Sequence, residues 1–507
     1  MMQAGMINRQ CHIDTQQESA PPCTIVIFGA SGDLTSRKLI PSLHTLYKNG
    51  HLPSPFSIVG CSRTDLTNES FRKKLFDFYV SAFSEKPKNW DDFAQHIFYQ
   101  PVVYDDRNSF EELGSFLKEL DRKRKTRGNK IFYLAVPPKL YPIIPTTMGK
   151  AGLAVQETET NGWIRLVVEK PFGHDLDSAI ELDKILHTYF TEQQIFRIDH
   201  YLAKETIQNI LMLRFANSIF EPIWNRSYID YIGVIAAEKL GVEHRAGYYD
   251  QTGVIRDMFQ NHIMQLMALT AMEPPSVFAA HRVQDEKVKV FRSLKPFDTD
   301  LWEENLILGQ YGKGEIDGEK VRAYREEEQI NQNSITPTFA LMRVFVDNWR
   351  WKGVPFYLAS GKRLQEKSTK IVVQFKNVPH SMFKNVLSEN IDANRLEFGV
   401  FPHEEISLTF QAKSPGSQVC LRPVQMNFNY DHFETASLDA YEKVLLDCIH
   451  GDHMLFWRQD GVELTWDYLT PILEKCEPCL EKEGKLHFYP AGSRGPEKAQ
   501  KWMKLIG

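Results

Sequence analysis

Short apolar runs recur at intervals through the first part of the chain. Residues 24–28 form a continuous apolar, β-branched run, which is typical of a strand buried on both faces of a parallel sheet. Comparable runs follow at residues 56–60, 97–103, 130–136, 164–168 and 194–198. This pattern predicts six strands in the first 200 residues.

Between these runs, apolar residues recur at the spacing of amphipathic helices, as at Leu39 and Leu43. Strands that alternate with helices predict a doubly wound (Rossmann-like) α/β domain. Pro41 falls inside the first helical pattern, so this helix should kink or restart there. Asn49-Gly50 should end it.

The pattern changes beyond about residue 200. A helical segment follows Lys204, a strand-like run covers residues 228–237, and amphipathic spacing returns in residues 255–269. Alternating positions then predict strands around residues 396–400, 406–410 and 419–426. We expect a larger α+β domain with a mainly antiparallel sheet. The predicted units are a loose amino-terminal arm at residues 1–20, a doubly wound domain at 21–200 and the α+β domain at 201–507.

The composition disfavours several classes of protein. The 507 residues include 60 Lys and Arg against 65 Asp and Glu, a formal net charge of −5, and 42% of them are hydrophobic. A dedicated nucleic-acid binder and a disordered chain are therefore disfavoured. The chain has no amino-terminal apolar segment and no run of about 18 apolar residues, so we expect a cytoplasmic protein that binds no membrane.

Seven cysteines form no dense framework, and their odd number leaves at least one unpaired, which favours a reducing compartment. Cys476 and Cys479 form the one Cys-x-x-Cys motif. It has no second pair and no neighbouring Cys/His set, so we interpret it as a reduced surface turn rather than a zinc or redox site. We expect no metal.

The first chemical motif lies between the first predicted strand and the first predicted helix. It reads Gly29-Ala30-Ser31-Gly32-Asp33-Leu34-Thr35. Glycine lets the backbone approach a pyrophosphate at such a turn, and the helix amino terminus supplies free N–H groups and a positive dipole end. The spacing is Gly-x-x-Gly rather than Gly-x-Gly-x-x-Gly, so a tight turn without a ligand is the alternative interpretation.

The end of the second predicted strand bears on which dinucleotide would bind. No acidic residue follows it where NAD enzymes hold the ribose 2′-hydroxyl. Arg63, together with Ser62 and Thr64, could instead bind a 2′-phosphate through charge-assisted hydrogen bonds. The residues therefore favour NADP, and a solvent-exposed arginine without a ligand is the alternative.

Two further loops lie at the carboxyl ends of predicted strands, where open α/β sheets bind ligands. One loop leads from Val136 to Tyr141, and the other places Lys170 before Pro171. A single lysine before a proline is usually solvated, so Lys170 gains meaning only from its neighbours.

A dense polar group follows the sixth strand in the segment RIDHYLAKE, residues 197–205. If a helix starts near Tyr201, His200 and Lys204 share one of its faces and form a phosphate clamp with the Tyr201 hydroxyl. Asp199 could orient a histidine elsewhere in the chain. A solvated helix start is the alternative interpretation.

Six segments together resemble the glucose-6-phosphate dehydrogenase family, in the order in which that family has them. They are GASGDLT, EKPFG, RIDHYLAKE, FANSIFEPIWNR, GVIRDMFQNH and RWKGVPFYLASGK. The resemblance implies NADP⁺-dependent oxidation of β-D-glucose 6-phosphate at C1 to 6-phospho-D-glucono-1,5-lactone, without a metal. This is the first step of the oxidative pentose phosphate pathway and generates NADPH.

The resemblance also implies a role for each unit. Residues 21–200 would bind NADP, and residues 201–507 would bind the substrate and form homodimers or homotetramers through the antiparallel sheet. A large sheet with one exposed face would otherwise leave an apolar patch in solvent, which also favours self-association.

Individual residues match the family's functional positions. His262 corresponds to the general base, and Asp199 to the carboxylate that orients it. The phosphate ligands would be His200, Tyr201, Lys204 and Lys367. The sugar ligands would be Glu238, Asp257 and Lys362, with Lys170 between the sugar and the nicotinamide. The coenzyme positions would be Gly29, Ala30, Ser31, Gly32, Asp33, Leu34, Lys38, Arg63, Tyr141 and again Lys170.

The chemistry of these residue types agrees with the implied reaction. A hydride leaves C1 only as the hydroxyl proton is removed, and a neutral histidine held by a carboxylate is a suitable base near neutral pH. His262 taken alone would more often be a structural histidine, so its assignment depends on the whole set of residues.

The sequence departs from the family pattern at a few positions. Ala203 stands where many members have glycine, a small change that should not move the ligands. Some members bind a second, structural NADP through basic residues in the carboxy-terminal half. Ala359 and Ser368 stand at two of those positions, so the resemblance does not extend to that second site.

Two other functions remain open at this point. An NADP-dependent dehydrogenase for an unphosphorylated sugar would have no use for His200, Lys204 and Lys367 around one anion. A non-catalytic protein that senses NADPH would need no His/Asp pair.

Overall fold

Two large β-sheets form the framework of the protein. The computed structural model describes residues 20–84, 86–155, 162–383, 391–416, 420–429, 438–482 and 484–507. The predicted amino-terminal arm lies outside the described residues, except for Ala20. No described helix is long and apolar enough to cross a membrane.

The first sheet is parallel and has the order β3-β2-β1-β4-β5-β6. Its strands are β1 (Cys23–Phe28), β2 (Phe56–Ser62), β3 (Ile97–Pro101), β4 (Lys130–Leu134), β5 (Ile164–Val168) and β6 (Ile195–Arg197). All six apolar runs became strands, and β1 and β2 are buried along their whole length. The strand order reverses between β1 and β4, and doubly wound folds bind ligands at such a reversal.

The helices of this part cover the sheet, as the alternating pattern predicts. They are α1 (Ile40–Lys48), α2 (Asn68–Phe83), α3 (Trp90–Ala94), α4 (Arg107–Arg124), α5 (Ile143–Lys150) and α6 (Leu176–His187). A π-helical segment, Thr35–Leu39, precedes α1, which begins at Ile40 with Pro41 in its first turn. The predicted restart at Pro41 and the helix end before Asn49-Gly50 are therefore confirmed.

The second sheet has nine strands in the order β16-β15-β14-β13-β7-β12-β11-β8-β17. They are β7 (Ile229–Ala237), β8 (Leu306–Gly312), β11 (Phe339–Phe345), β12 (Pro355–Gly361), β13 (Ser368–Phe375), β14 (Arg395–Phe401), β15 (Glu405–Lys413), β16 (Leu421–Asn429) and β17 (His487–Pro490). A separate hairpin is formed by β9 (Gly314–Ile316) and β10 (Glu319–Val321). Only the β7–β12 and β8–β17 pairs of this sheet are parallel, so the mainly antiparallel prediction is confirmed.

The remaining helices are α7 (Glu205–Phe215), α8 (Ala246–Val254), α9 (Met264–Ala271), α10 (Ala280–Arg292), α11 (Ala440–His450), α12 (Gln459–Lys482) and α13 (Gln500–Ile506). A second π-helical segment, Ile255–Ile263, joins α8 to α9. The predicted helix over residues 255–269 is confirmed by the π-helical segment and α9. Its polar face is limited to the half-buried Arg256 and Asp257, because every residue of α9 is buried.

The carboxy-terminal helix α11 packs on the first sheet rather than on the second. Ala440, Val444 and Leu445 share one core cluster with strands β1 and β2. Arg165 of β5 donates to the carbonyl oxygens of Cys448 and Ile449, each at 2.6 Å. Residues of α11, far beyond residue 200, therefore complete the core of the first sheet. The domain boundary near residue 200 stays a prediction.

The Cys-x-x-Cys motif was wrongly interpreted as a surface turn. Both cysteines lie in α12, and Cys476 is fully buried. The pattern misled because Pro478 between them, normally a helix breaker, lies inside this helix. Within the described residues, every cysteine is a free thiol, and no group of three or more His, Cys, Asp or Glu side chains is placed to hold a metal ion.

Candidate active site

A buried histidine–aspartate pair joins the two parts of the molecule. His262 belongs to the second π-helical segment, and Asp199 follows β6 in the first sheet. Nδ1 of His262 lies 2.5 Å from Oδ1 of Asp199, and the two residues are 1% and 2% exposed. Because a carboxylate only accepts hydrogen bonds, Nδ1 carries the hydrogen and Nε2 is left as the basic nitrogen.

The electrostatics of the pair keep the imidazole neutral. Burial lowers the pKa of His262 below 6.5, although the charge of Asp199 opposes this. Burial acts to raise the pKa of Asp199, but the interactions with His262 and His200 and the hydrogen bond from the Tyr201 N–H together outweigh it, so that pKa is lowered. An uncharged imidazole beside an ionised carboxylate is the form that can accept a proton.

The π-helical segment determines which side chains meet at this pair. Asp257 and His262 are five residues apart, which in an α-helix would turn them to different faces. In the π-helical segment, the wider i→i+5 turn lets both side chains face the same group. That group is Lys170, which affects the pKa of both Asp257 and His262. The ring of Tyr201 stacks on the His262 ring with centroids 4.0 Å apart and holds its plane.

The expectation that His200 and Lys204 share a helix face was wrong. Residues 200–204 form turns, and α7 begins only at Glu205. His200 instead lies beside His262, with ring centroids 4.9 Å apart. Nζ of Lys204 is 3.3 Å from Oε1 of Glu404, a residue that the sequence did not single out. Burial lowers the pKa of His200 to about 3, so His200 is neutral, not the cation expected of a phosphate ligand.

Tyr201 and Lys367 both lie next to the start of β13 in the second sheet. The Tyr201 hydroxyl is hydrogen-bonded to Thr369, and Thr369 pairs with Phe401. Nζ of the exposed Lys367 lies 4.0 Å from the centre of the Phe401 ring. Lys204 approaches this strand pair through Glu404, so the structure places these polar groups in one region between α7 and β13–β14.

A second group of charges lies next to His262. Nζ of Lys170 is 3.2 Å from Oδ1 of Asp257. Nζ of Lys362 is 2.5 Å from Oε2 of Glu238 and 3.9 Å from Oδ2 of Asp257. Burial opposes ionisation of Asp257, but the two lysines outweigh it and hold its pKa well below the usual range. The three predicted sugar ligands and Lys170 are therefore brought together as an alternating chain of charges.

Tyr249 and Glu169 also belong to this region, although neither was predicted as a site residue; Glu169 begins the EKPFG segment. The Lys362 ammonium lies 4.9 Å from the centre of the Tyr249 ring, a cation–π contact. Glu169 is half-buried beside Lys170 and accepts a 2.6 Å hydrogen bond from the Tyr133 hydroxyl. Burial raises the pKa of Glu169. Only their proximity to Lys170 and Lys362 in space marks them as part of the site.

The glycine-rich turn after β1 has the geometry of a dinucleotide-binding turn. Gly29 has a φ of +84°, and a Cβ there would lie 2.1 Å from the Ala135 carbonyl oxygen. Its N–H donates to the Tyr104 hydroxyl at 3.0 Å. Asp33 is paired with Arg37 at 3.2 Å. The other predicted coenzyme positions along this turn are the buried Ala30, the half-buried Ser31 and Leu34, and the exposed Gly32 and Lys38.

Arg63 is exposed at the end of β2, near the same turn. Its charge acts on the Tyr104 hydroxyl, which itself bonds to Gly29. The suggestion that Ser62 could also bind a phosphate was wrong, because Ser62 is 3% exposed and its hydroxyl is 2.7 Å from that of Tyr99. Binding of a phosphate by a charged side chain at this position therefore depends on Arg63.

Tyr141 lines a cavity of about 610 Å³ between the loops that follow β4 and β5. Pro171 and Arg256, the neighbours of Lys170 and Asp257 in the chain, also line it. The cavity therefore lies next to the Lys170–Asp257 pair, on the side of the first sheet.

A basic nitrogen beside a cluster of charges, at the ligand-binding edge of a doubly wound sheet, defines a dehydrogenase that uses a dinucleotide and a polar substrate. Comparison with known proteins agrees with this class. "Glucose-6-phosphate dehydrogenase, NAD binding domain" matches residues 26–209, and "Glucose-6-phosphate dehydrogenase, C-terminal domain" matches residues 211–507. The chain belongs to the glucose-6-phosphate dehydrogenase family.

Relatives of established name are similar over nearly the whole chain. The glucose-6-phosphate 1-dehydrogenase of Aggregatibacter actinomycetemcomitans is 46% identical and covers 96% of this chain and 97% of its own. The glucose-6-phosphate 1-dehydrogenase of Bacillus subtilis is 42% identical and covers 94% of this chain and 96% of its own. A solved glucose-6-phosphate dehydrogenase in complex with its substrate glucose-6-phosphate superposes with a TM-score of 0.86 at 34% identity. The match covers 96% of this chain and 98% of that one.

Proposed function

We propose that this chain oxidises β-D-glucose 6-phosphate at C1 to 6-phospho-D-glucono-1,5-lactone with NADP⁺, the first step of the oxidative pentose phosphate pathway. The observation that carries the proposal is the buried His262–Asp199 pair, 2.5 Å apart, beside the Lys170–Asp257 pair. The names of the full-length relatives support it, as does a structural neighbour described with glucose-6-phosphate as its substrate.

NADP fits the residues at the edge of the first sheet. Gly29, with no room for a Cβ, keeps the backbone close at the turn, and exposed Arg63 suits a 2′-phosphate. The residues proposed to hold the coenzyme are the turn from Gly29 to Leu34, Lys38, Arg63, Tyr141 and Lys170. NADP⁺ would supply the acceptor for the hydride that leaves C1.

His262 is proposed as the general base. Its Nε2 accepts the C1 hydroxyl proton, which lets the C1 carbon release its hydride. Asp199 fixes the tautomer through Nδ1 and stabilises the imidazolium that forms. Tyr201, stacked on the imidazole at 4.0 Å, limits rotation of the ring.

The remaining residues are proposed to hold the two ends of the substrate. Lys204, His200, Tyr201 and Lys367 would bind the phosphate, and Glu238, Asp257 and Lys362 the sugar hydroxyls. His200 can donate one hydrogen bond while neutral, and a bound dianion would raise its pKa. An unphosphorylated sugar would leave Lys204 and Lys367 unused, and a coenzyme sensor would not need the His262–Asp199 pair.

A cytoplasmic location is also proposed. The described cysteines are free thiols, and four of them are buried, which suits a reducing compartment. Cell fractionation tests this, and recovery with an extracytoplasmic marker would reject it.

The chemical proposal is tested by His262→Asn. The variant keeps a polar side chain on the buried segment but cannot accept the hydroxyl proton, so kcat should fall by about 10²-fold or more. Formation of NADPH is followed spectrophotometrically with glucose 6-phosphate, with glucose and without sugar. Wild type should respond to glucose 6-phosphate far more than to glucose.

His187→Asn is a matched control, because His187 is half-buried in α6 and bonds to Glu192, and neither residue is a proposed ligand or base. It should keep near-normal kcat. Retention of more than about a tenth of wild-type kcat by His262→Asn would remove His262 as the principal base. A wild-type preference for glucose would reject the substrate.

A further inference from the structure

The helix after β2 brings a lysine to the glycine-rich turn after β1. Lys74 is exposed on α2, and its Nζ donates to the Ser31 carbonyl oxygen at 3.2 Å. Ser31 is one of the residues proposed to hold the coenzyme, whereas Lys74 was not predicted as a site residue. A basic side chain outside the proposed set therefore touches the coenzyme turn directly.

The packing beneath Lys74 fixes the position of α2 against this turn. Phe71 lies one helical turn before Lys74 and is buried. A Cβ on Gly60 would lie 2.5 Å from the Phe71 ring and 2.9 Å from the Ala30 Cβ. Because Gly60 has no side chain, α2, β2 and the glycine-rich turn pack directly on one another.

The end of β2 is hydrogen-bonded to the same turn. The N–H groups of Gly29 and Ala30 both donate to the Cys61 carbonyl oxygen, at 2.9 and 3.1 Å. Arg63 follows Cys61 by two residues and is exposed. The turn, the end of β2 and α2 thus meet where a doubly wound fold holds the adenosine ribose of its coenzyme. Arg63 and Lys74 reach this place from two different elements.

Lys74 keeps its charge and most of its hydrogen-bonding capacity available. An ammonium group has three N–H donors, and the Ser31 carbonyl oxygen accepts from one of them. In the part of the chain that the structure describes, Lys74 has no carboxylate within ion-pair distance. Two donors and an uncompensated positive charge are therefore left for an anion at the turn.

The basic neighbours of Lys74 on α2 are held by other groups. Lys73 is paired with Asp77 at 2.6 Å. Nε of Arg72 donates to the Ile97 carbonyl oxygen of β3 at 2.8 Å. Of the three consecutive cations at positions 72–74, Lys74 is therefore the one directed to the turn.

We propose that Lys74 is a second ligand of the coenzyme 2′-phosphate, which it binds together with Arg63 while its bond to Ser31 holds it at the turn. The inference rests on the proposed function and deepens it, because it assigns part of the selectivity against NAD to α2. A 2′-phosphate carries about two negative charges at neutral pH, and Arg63 supplies only one positive charge. Lys74 supplies the other.

Lys74→Met tests this, because methionine keeps an unbranched side chain without the charge. The Kd values for NADP⁺ and for 2′,5′-ADP, measured by calorimetry at low ionic strength, should rise by about fivefold, as expected for an exposed charge pair. The Kd values for NAD⁺ and 5′-AMP, which lack the 2′-phosphate, should change by less than about 1.5-fold. Lys74→Arg keeps the charge and should bind 2′,5′-ADP within about twofold of wild type.

Lys73→Met is the matched control on the same helix. Lys73 is exposed and paired with Asp77, so its loss removes the same charge from α2 without touching the turn. Its affinity for 2′,5′-ADP should equal that of wild type. Equal losses in Lys73→Met and Lys74→Met would assign the effect to the net charge of α2 and overturn the proposal.

The two adenosine probes separate phosphate binding from a structural role. If Lys74 only holds the glycine-rich turn, Lys74→Met should weaken 2′,5′-ADP and 5′-AMP alike, and this result would reject Lys74 as a phosphate ligand. If Lys74 binds the phosphate, the loss should be confined to 2′,5′-ADP. It should also shrink in about 1 M NaCl, where the screening length falls to about 3 Å.

The titrations require no turnover, so the two possible failures can be told apart. If wild type does not reduce NADP⁺ with glucose 6-phosphate, the proposed function fails, while the titrations still decide the role of Lys74. If wild type is active with NADP⁺ and Lys74→Met binds 2′,5′-ADP as tightly as wild type, only the role of Lys74 is rejected.

Discussion

At the scale of single residues, recognition of the coenzyme depends on exposed basic side chains. Arg63 lies at the end of β2, while the hydroxyl of neighbouring Ser62 is occupied by Tyr99. No acidic residue stands there to bind a ribose 2′-hydroxyl. The preference for NADP over NAD should therefore be sensitive to the charge at position 63.

Arg63→Glu should weaken NADP⁺ binding by about tenfold or more, because it removes a charge-assisted phosphate contact and adds repulsion. NAD⁺, which lacks the 2′-phosphate, should lose much less. Dissociation constants from calorimetry check this. Arg107→Glu, an exposed arginine paired with Glu111, is the control and should change neither. Equal losses for both coenzymes would show that Arg63 does not bind the 2′-phosphate.

At the scale of elements, one side chain connects α11 to the first sheet. The Arg165 guanidinium donates to the carbonyls of Cys448 and Ile449 at the end of the helix and lies 3.6 Å from the centre of the Trp163 ring. Burial lowers its pKa to about 10, so it is still charged at neutral pH. A cation at a helix carboxyl terminus satisfies free carbonyls and the helix dipole.

Arg165→Met should loosen α11 because it leaves those carbonyls without a charged donor, a loss of about 1.5–3 kcal/mol per hydrogen bond. Amide hydrogen exchange in residues 440–450 should become at least about tenfold faster, measured by mass spectrometry. Arg124→Met, which removes a 2.9 Å bond to the Gln95 carbonyl, is the control. Unchanged exchange in α11 would show that apolar packing alone holds it.

At the scale of the whole molecule, the second sheet ends in a strand with an apolar face. β16 is last in the strand order, and Met426 in it is 54% exposed. Val424 lies on the same face, and their partners in β15 are Phe410 and Leu408. A long edge strand with exposed apolar residues tends to be covered by another chain.

We therefore propose a homodimer or homotetramer in which a second copy covers this face. Sedimentation velocity at micromolar concentration should give a dimer or larger, and Met426→Glu should shift the distribution toward monomer. Met382→Glu is the control, since Met382 is 78% exposed but lies outside the sheet. A wild-type monomer under these conditions would reject the proposal.

Several features of the site could be predicted because they depend on residues close together in the chain. The turn at Gly29 follows β1 directly, and His200, Tyr201 and Lys204 lie within five residues. Which faces these side chains share could not be predicted. The last three lie in turns, because the chain leaves the sheet there and α7 begins only at Glu205.

The sequence by itself determined the alternating strands and helices, the doubly wound class of the first domain and the set of reactive residues, since local patterns encode burial and turns. Only the tertiary structure decided that α11 completes the first sheet and that Glu404 pairs with Lys204. The partners of this pair are 200 residues apart in the chain. No local pattern records such contacts, because they depend on how two separate sheets pack around one buried helical segment.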